Sequence, residues 1–216
     1  MTRVLVIDDH PVVLQACAQL LEDAGVENIV QALSLADGIS LYRKHKPDVI
    51  IVDLKVGTGA LSGLSFIRRL RVHDQRTPVL VFTMHSDPDI VRRAIAVGAT
   101  GYLLKDTTSD EILKAFQRVR EGRPYVSHDL ALEVAFRDSI GTINPLKALT
   151  VRELQTLALM AEGKTFGVIA ERLHVSYKTV ANTCAHLKAK LGVRTLGELM
   201  RTAIQHLPSS TARPPK

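Results

Sequence analysis

The chain has little cysteine and no long apolar run, and each shortage removes a class of protein. Cys17 and Cys184 are the cysteines of a 216-residue sequence, too few for a disulfide framework or a cysteine metal cluster. Two reduced thiols in a cytoplasmic protein are the expectation. No apolar stretch approaches the roughly 20 residues that a membrane span needs, so no membrane association is expected. Thr2-Arg3-Val4-Leu5-Val6-Ile7 is too short for a signal-peptide core, and Asp8 and Asp9 end it at once. His10, His45, His73 and His85 lack metal-ligand spacing with cysteine or one another, and read as surface or helix-start residues. There is no internal repeat and no low-complexity block. With 46% apolar and 23% charged residues, the composition excludes wholesale disorder, and the length suits one large domain or two small ones.

The charge is unevenly divided. Residues 1–122 hold 15 Lys/Arg and 15 Asp/Glu, whereas residues 123–216 hold 13 and 7, so the net +6 sits in the last part of the chain. A neutral module followed by one that binds a polyanion explains this, and so does a merely soluble basic surface.

Periodicity separates the same two parts. Short β-branched runs at Arg3–Asp8, Glu27–Ala32, Asp48–Asp53, Val79–Thr83 and Gly101–Leu104 alternate with helical patterns at 11–24, 34–45, 62–71, 86–97 and 108–121. Val49–Val52 and Val79–Phe82 are apolar throughout, as strands covered on both faces are. The expectation is an α/β domain over 1–121 with a five-stranded, doubly wound parallel sheet of flavodoxin-like form. Residues 122–148 read as a linker containing an apolar stretch, Leu130–Phe136. Purely helical patterns follow at 150–162, 165–173, 176–191 and 195–207, giving a small all-α four-helix domain over 149–207, and 208–216 reads as a disordered tail.

In open parallel sheets, chemistry gathers beyond the carboxyl ends of the strands. Asp8 and Asp9 end the first strand, Asp53 the third and Thr83 the fourth, and the fifth runs into Lys105. Converging carboxylates repel and call for a cation, and oxygen ligands with room for water favour Mg²⁺. A hydroxyl and an ammonium opposite a metal-bound carboxylate can cradle a phosphoryl group, and the carboxylate can itself be the nucleophile. Taken singly, the same residues read as helix caps, turn groups and a solvated lysine. Their arrival together on four strand ends favours the functional reading.

Val6-Ile7-Asp8-Asp9-His10-Pro11, Ile51-Val52-Asp53-Leu54, Val81-Phe82-Thr83-Met84-His85 and Gly98–Asp106 occur in the order and spacing of the receiver domain of bacterial two-component response regulators, which this part of the chain resembles. The resemblance implies that Asp53 accepts phosphate from a sensor histidine kinase. It implies that Asp9, Asp53 and the backbone carbonyl of Lys55 bind Mg²⁺, with Asp8 acting through water. Lys105 would then pair with a phosphoryl oxygen, and Thr83 would bond another and draw Tyr102 inward. One stretch departs from the pattern: Val56–Gly63 is longer by about two residues than usual and lacks the customary proline.

Between Glu171 and Glu198 there is no acidic residue. Over 176–191, Val180, Cys184, Leu187 and Leu191 form one helical stripe, which makes Cys184 a packed apolar residue. Lys178, Ala181, Asn182, Ala185 and Ala189 lie opposite, flanked by Lys188 and Lys190, a face that suits a major groove and equally a solvated helix. Leu149–Leu154, Ala161–Lys164, Ile169–Leu173, Val175–Val180 and Leu187–Val193 are similar to the LuxR-type helix-turn-helix, which selects the first reading. The resemblance implies a scaffold helix at 165–173, a recognition helix at 176–191 and a dimerisation helix at 195–207. Lys164, Ser176, Lys178, Thr179, Ala181, Asn182, Ala185, Lys188 and Lys190 are expected at DNA, and Leu199, Met200, Ala203 and Ile204 at a dimer contact. Thr195 and Glu198 have capping-box spacing.

The two parts together resemble a NarL/FixJ-type response regulator, with phosphorylation of Asp53 controlling dimerisation and promoter binding, and with no enzymatic turnover of a separate substrate. Two alternatives are a phosphorylation-independent transcription factor with a degenerate receiver, suggested by the altered loop, and a Mg²⁺-dependent aspartyl-phosphate phosphatase, disfavoured by the lack of a substrate cap.

Overall fold

A computed structural model describes residues 2–57, 59–139 and 145–207. The chain divides into two compact units, one of residues 1–57 and 62–140 and the other of 58–61 and 141–216. The expected disordered tail, 208–216, lies outside the described residues.

The first unit alternates strands and helices: β1 (Arg3–Ile7), α1 (Pro11–Asp23), β2 (Asn28–Ala32), α2 (Leu35–His45), β3 (Val49–Val52), α3 (Ser62–His73), β4 (Val79–Thr83), α4 (Pro88–Ala96), β5 (Gly101–Leu104) and α5 (Ser109–Arg120). The strands are parallel in the order β2-β1-β3-β4-β5-β6, the sixth being Tyr125–Val126. The order reverses at β1, so the crevice beyond the carboxyl ends of β1 and β3 is where this topology opens. Alternation along the strands feeds two cores. Val4, Val6, Val49, Ile51, Leu80, Phe82 and Leu103 pack with Leu14, Cys17 and Leu21 of α1 and Phe116 and Val119 of α5. On the opposite face α2 rides close, since a Cβ on Gly38 would lie 2.6 Å from Ile7 Cδ1.

Residues 122–148 are more than the expected linker, and the sheet has six strands rather than five. Tyr125 and Val126 extend it by pairing with Gly101 and Tyr102, and α6 (His128–Ser139) packs on α4 with Leu130 buried. A 3₁₀ turn, Pro145–Ala148, precedes the helices of the second unit.

The second unit contains α7 (Val151–Ala161), α8 (Phe166–Leu173), α9 (Tyr177–Leu191) and α10 (Leu196–His206). Local chemistry sets each start. Thr150, Thr165, Ser176 and Thr195 accept a hydrogen bond from the N–H three residues on, and Glu153 and Glu198 complete capping boxes at α7 and α10. α9 stops at Gly192, whose φ of +67° suits a residue without a side chain. Val180, Cys184 and Leu187 are buried as the stripe predicts.

Candidate functional site

Strand ends carry the acidic residues to one place. Asp8 and Asp53 follow β1 and β3, and ladder bonding runs on past both strands, with the Asp8 N–H donating to the Ala32 carbonyl at 3.1 Å and the Asp53 N–H to that of Ile7 at 3.0 Å. Asp8, Asp9, His10 and Asp53 present potential ligand atoms within 4.8 Å of one another. Lys105 reaches in from the end of β5, its Nζ 2.6 Å from Asp8 Oδ2 and 2.7 Å from Asp53 Oδ2. Burial alone would favour the neutral amine, but the Asp53 and Asp8 carboxylates outweigh it and raise the Lys105 pKa above its ordinary value. The ammonium thus offsets part of the repulsion between carboxylates.

Two buried oxygens at these strand ends lack hydrogen-bond partners among the described residues: Asp9 Oδ1 and Thr83 Oγ1. Asp9 Oδ1 lies 2.9 Å from His10 Nδ1, but outside hydrogen-bond geometry. Thr83 is 0% exposed, and a buried hydroxyl left unpaired is costly unless a ligand uses it. The three carboxylates, with an orphaned acceptor on Asp9, fit a hard divalent cation. Neither aspartate caps α1: its N-cap is His10, whose side chain makes no cap, while Asp8 Oδ1 accepts the His10 N–H at 3.0 Å. His10, set aside on spacing grounds, is thereby part of the cluster. Its nearness comes from the chain reversal between β1 and α1, which ligand-spacing patterns do not register.

The loop after β3 is tied down despite its altered sequence. Lys55 N–H donates to Asp53 Oδ1 at 3.3 Å and Gly57 N–H to Asp9 Oδ2 at 2.8 Å. Ser62 Oγ donates to the Val56 carbonyl and accepts from the Val56 N–H, at 3.0 and 3.3 Å. Tyr102 is fully buried, with Oη donating to the His85 carbonyl at 2.7 Å. Burial, together with the Asp53 and Asp87 carboxylates, pushes its phenol well above the usual range.

On the second unit, Lys178, Asn182, Ala185 and Ala189 are exposed along α9, with Ala181 and Lys188 half-buried and Lys164 half-buried just before α8. Ser176 and Thr179, expected at DNA, are engaged with each other: Ser176 Oγ accepts the Thr179 N–H at 3.1 Å and lies 2.9 Å from its hydroxyl. Lys190 departs from its expected place on the shoulder. Its Nζ donates to Glu153 Oε2 at 2.8 Å and lies 3.3 Å from the Ala148 carbonyl, because the last turn of α9 runs beside the start of α7. Glu153 is buried, yet bonds from Lys190 and Thr150 outweigh that burial and hold its carboxyl below the usual range.

The dimer set is also divided. Leu199 and Ala203 are fully buried core residues, since the stripe of α10 is used against α7; Met200 is half-buried, while Ile204 and Leu196 are exposed. Tyr177, at the first turn of α9, was not among the expected contacts; it is exposed and held by a tilted ring contact with Phe166, centroids 5.8 Å apart. Cys184 lies 3.6 Å from Met160 Sδ, and burial pushes its thiol up to about 11, in keeping with a packing role. Among the described residues, no helix is long and apolar enough to cross a membrane.

Comparison with known proteins places both units. Residues 4–117 match the response regulator receiver domain, and residues 147–203 match the luxR family of bacterial regulatory proteins. The chain is 37% identical over 204 residues to the methanol utilization control regulatory protein MoxX of Paracoccus denitrificans, covering 94% of this chain and 92% of that protein. It is 32% identical over 213 residues to the oxygen regulatory protein NreC of Staphylococcus aureus, covering 94% and 97%. Among solved structures, RcsB from Salmonella enterica serovar Typhimurium, bound to promoter rprA in the presence of phosphomimetic BeF₃⁻, has 26% identity and a TM-score of 0.68, over 94% of this chain and 98% of that one. The chain is therefore a DNA-binding response regulator of the NarL/FixJ type, with a receiver domain followed by a LuxR-type helix-turn-helix domain.

Proposed function

We propose that this regulator is switched by phosphorylation of Asp53 and that the switch controls its dimerisation and promoter binding in the cytoplasm. The observation that carries the reading is the setting of Asp53: a buried carboxylate, paired with Lys105, in one crevice with Asp8 and Asp9, at strand ends where Thr83 holds an unpartnered hydroxyl. Asp9, Asp53 and the Lys55 carbonyl would hold Mg²⁺, with Asp8 acting through water. The ion would supply positive charge that lets three carboxylates and a phosphoryl group share the crevice. An Asp53 oxygen attacks the phosphorus of a histidine kinase's phosphohistidine; the N–P bond breaks and an aspartyl phosphate forms. Lys105 offers its ammonium to one phosphoryl oxygen and Thr83 its hydroxyl to another, and movement of Thr83 is read out by Tyr102. Because the carboxylate that reacts is the protein's own, the protein is a switch and not an enzyme.

In the output domain, α9 reads the major groove of promoter DNA. Asn182 lies near the middle of the exposed face, where a side-chain amide can bond N6 and N7 of an adenine, and Lys188 reaches a phosphate on the groove wall. Dimer contacts fall to Leu196, Met200 and Ile204, the part of the α10 stripe that the domain's own core leaves uncovered.

The test is a binding series over single-base variants at several salt concentrations. Asn182→Ala should cost roughly 1–3 kcal/mol at one half-site position and relax the preference there. Lys188→Ala should weaken all sequences alike and make the salt slope shallower by about one unit. Lys190→Ala should leave the salt slope unchanged and lower the stability of the domain by up to about 1 kcal/mol, as a partly exposed ion pair does. A change in base preference from a lysine variant, with none from Asn182→Ala, would mean that another face of α9 meets the bases.

A further inference from the structure

Two features of the first unit have no part in the phosphoryl site. One is a groove of about 520 Å³ between α2 and α3. Its floor is apolar, built from Ile39, Phe66 and Leu70, and Val72, 72% exposed, stands at its edge. Arg43, Arg69 and His73 stand on its rim, and their side chains have no hydrogen-bond or ion-pair partner among the described residues. Asp74, at the same edge, is engaged inward. It accepts from Tyr42 Oη at 2.6 Å and from the N–H groups of Arg76 and Thr77 at 2.8 and 3.0 Å. Burial works against its charge, but these bonds win and hold its carboxyl well below the usual range. The groove thus offers an apolar floor under a cationic rim.

The other feature is the outer face of α6. At 3.6 residues per turn, Asp129, Leu132, Glu133 and Phe136 fall in one stripe about 100° wide, away from buried Leu130. Leu132 and Phe136, one turn apart on this stripe, are 42% and 61% exposed and form a contiguous apolar patch. Asp129 and Glu133 have no side-chain partner among the described residues. This ridge matches the groove in polarity and opposes it in charge.

We propose that the α2–α3 groove of one molecule receives the α6 ridge of a second copy of the chain. Leu132 and Phe136 cover the apolar floor, while Asp129 and Glu133 meet the rim cations and set the register. Apolar burial supplies the affinity and the charge pairs exclude wrong alignments. Each molecule carries both groove and ridge, and a reciprocal pair about a two-fold axis would fill both grooves and close the assembly. The contact uses neither Asp53, nor α9, nor the α10 residues assigned to the phosphorylation-controlled dimer, and its failure would leave that reading untouched.

Sedimentation equilibrium of the full chain tests this by charge reversal. Arg43→Glu with Arg69→Glu, and separately Asp129→Lys with Glu133→Lys, should each weaken self-association about tenfold or more. An equimolar mixture of the two double variants should associate again as a heterodimer, since each reversed groove then meets a reversed ridge. Recovery in the mixture cannot come from misfolding of either variant. A wild-type chain that stays monomeric throughout the concentration series would overturn the proposal. So would self-association indifferent to both reversals, as expected if the chain pairs through the exposed residues of α10 instead, and so would a mixture that stays dissociated.

Discussion

Asp53→Asn should abolish incorporation of a Mg²⁺-dependent, hydroxylamine-labile phosphoryl group. The amide has nearly the shape of the carboxylate it replaces but is not a competent nucleophile. The fold should survive, because Lys105 keeps its second partner, Asp8, at 2.6 Å. The loss would therefore report chemistry and not unfolding, and a matching thermal unfolding curve for the variant would establish this. The experiment uses a small phosphodonor, so that no kinase has to be known. Undiminished labelling of the variant would move the acceptor elsewhere, with Asp8 and Asp9 the first candidates.

Gly63→Ala is expected to be among the most damaging small substitutions in the receiver. A Cβ built there would clash with the Asp53 carbonyl oxygen and lie 2.8 Å from Leu54 Cα. Both are backbone atoms at the end of β3, so neither can swing away as a side chain would. The Gly63 N–H also donates to the Leu54 carbonyl at 2.9 Å, fixing the start of α3 against that strand end. Overpacking of this kind typically costs 1–3 kcal/mol, and a clash with backbone belongs near the upper figure, about 3 kcal/mol. The shift in urea midpoint reads it directly, and labelling of Asp53 should slow because its own peptide is displaced. Gly38→Ala provides the contrast. Its new Cβ meets the Cδ1 end of Ile7 at 2.6 Å, which can rotate, so the cost should be smaller. Equal stability losses in the two variants would contradict this account of the loop.

What was legible in the sequence followed from short-range rules. Runs such as Val49–Val52 are apolar at every position, and residues such as Ser176 and Thr195 announce helix starts, so strands and helices fell close to their observed places. The convergence of Asp8, Asp9, Asp53 and Lys105 was legible because parallel topology brings strand ends together whatever lies between them. What escaped notice depends on neighbours distant in sequence. Tyr125–Val126 is a two-residue strand whose identity comes from pairing with Gly101 and Tyr102, and it has no pattern of its own. A helical wheel puts Lys190 on the shoulder of α9, but a wheel does not contain Glu153, 37 residues away, which takes its ammonium. In the same way the stripe on α10 does not say which of its residues the domain uses itself. Leu199 and Ala203 go to the core, leaving Ile204 outside.

The central claim is that phosphoryl chemistry at Asp53 governs DNA binding by α9. It is tested most directly by measuring the affinity of the full-length protein for a promoter fragment with and without the small phosphodonor and Mg²⁺, beside the Asp53→Asn variant. The account predicts that phosphorylation tightens wild-type binding by about 1–3 kcal/mol, roughly 5- to 150-fold, with no response from Asp53→Asn. Identical affinities for the phosphorylated and unphosphorylated wild-type protein, with labelling verified, would contradict it and leave a transcription factor whose receiver does not control its output.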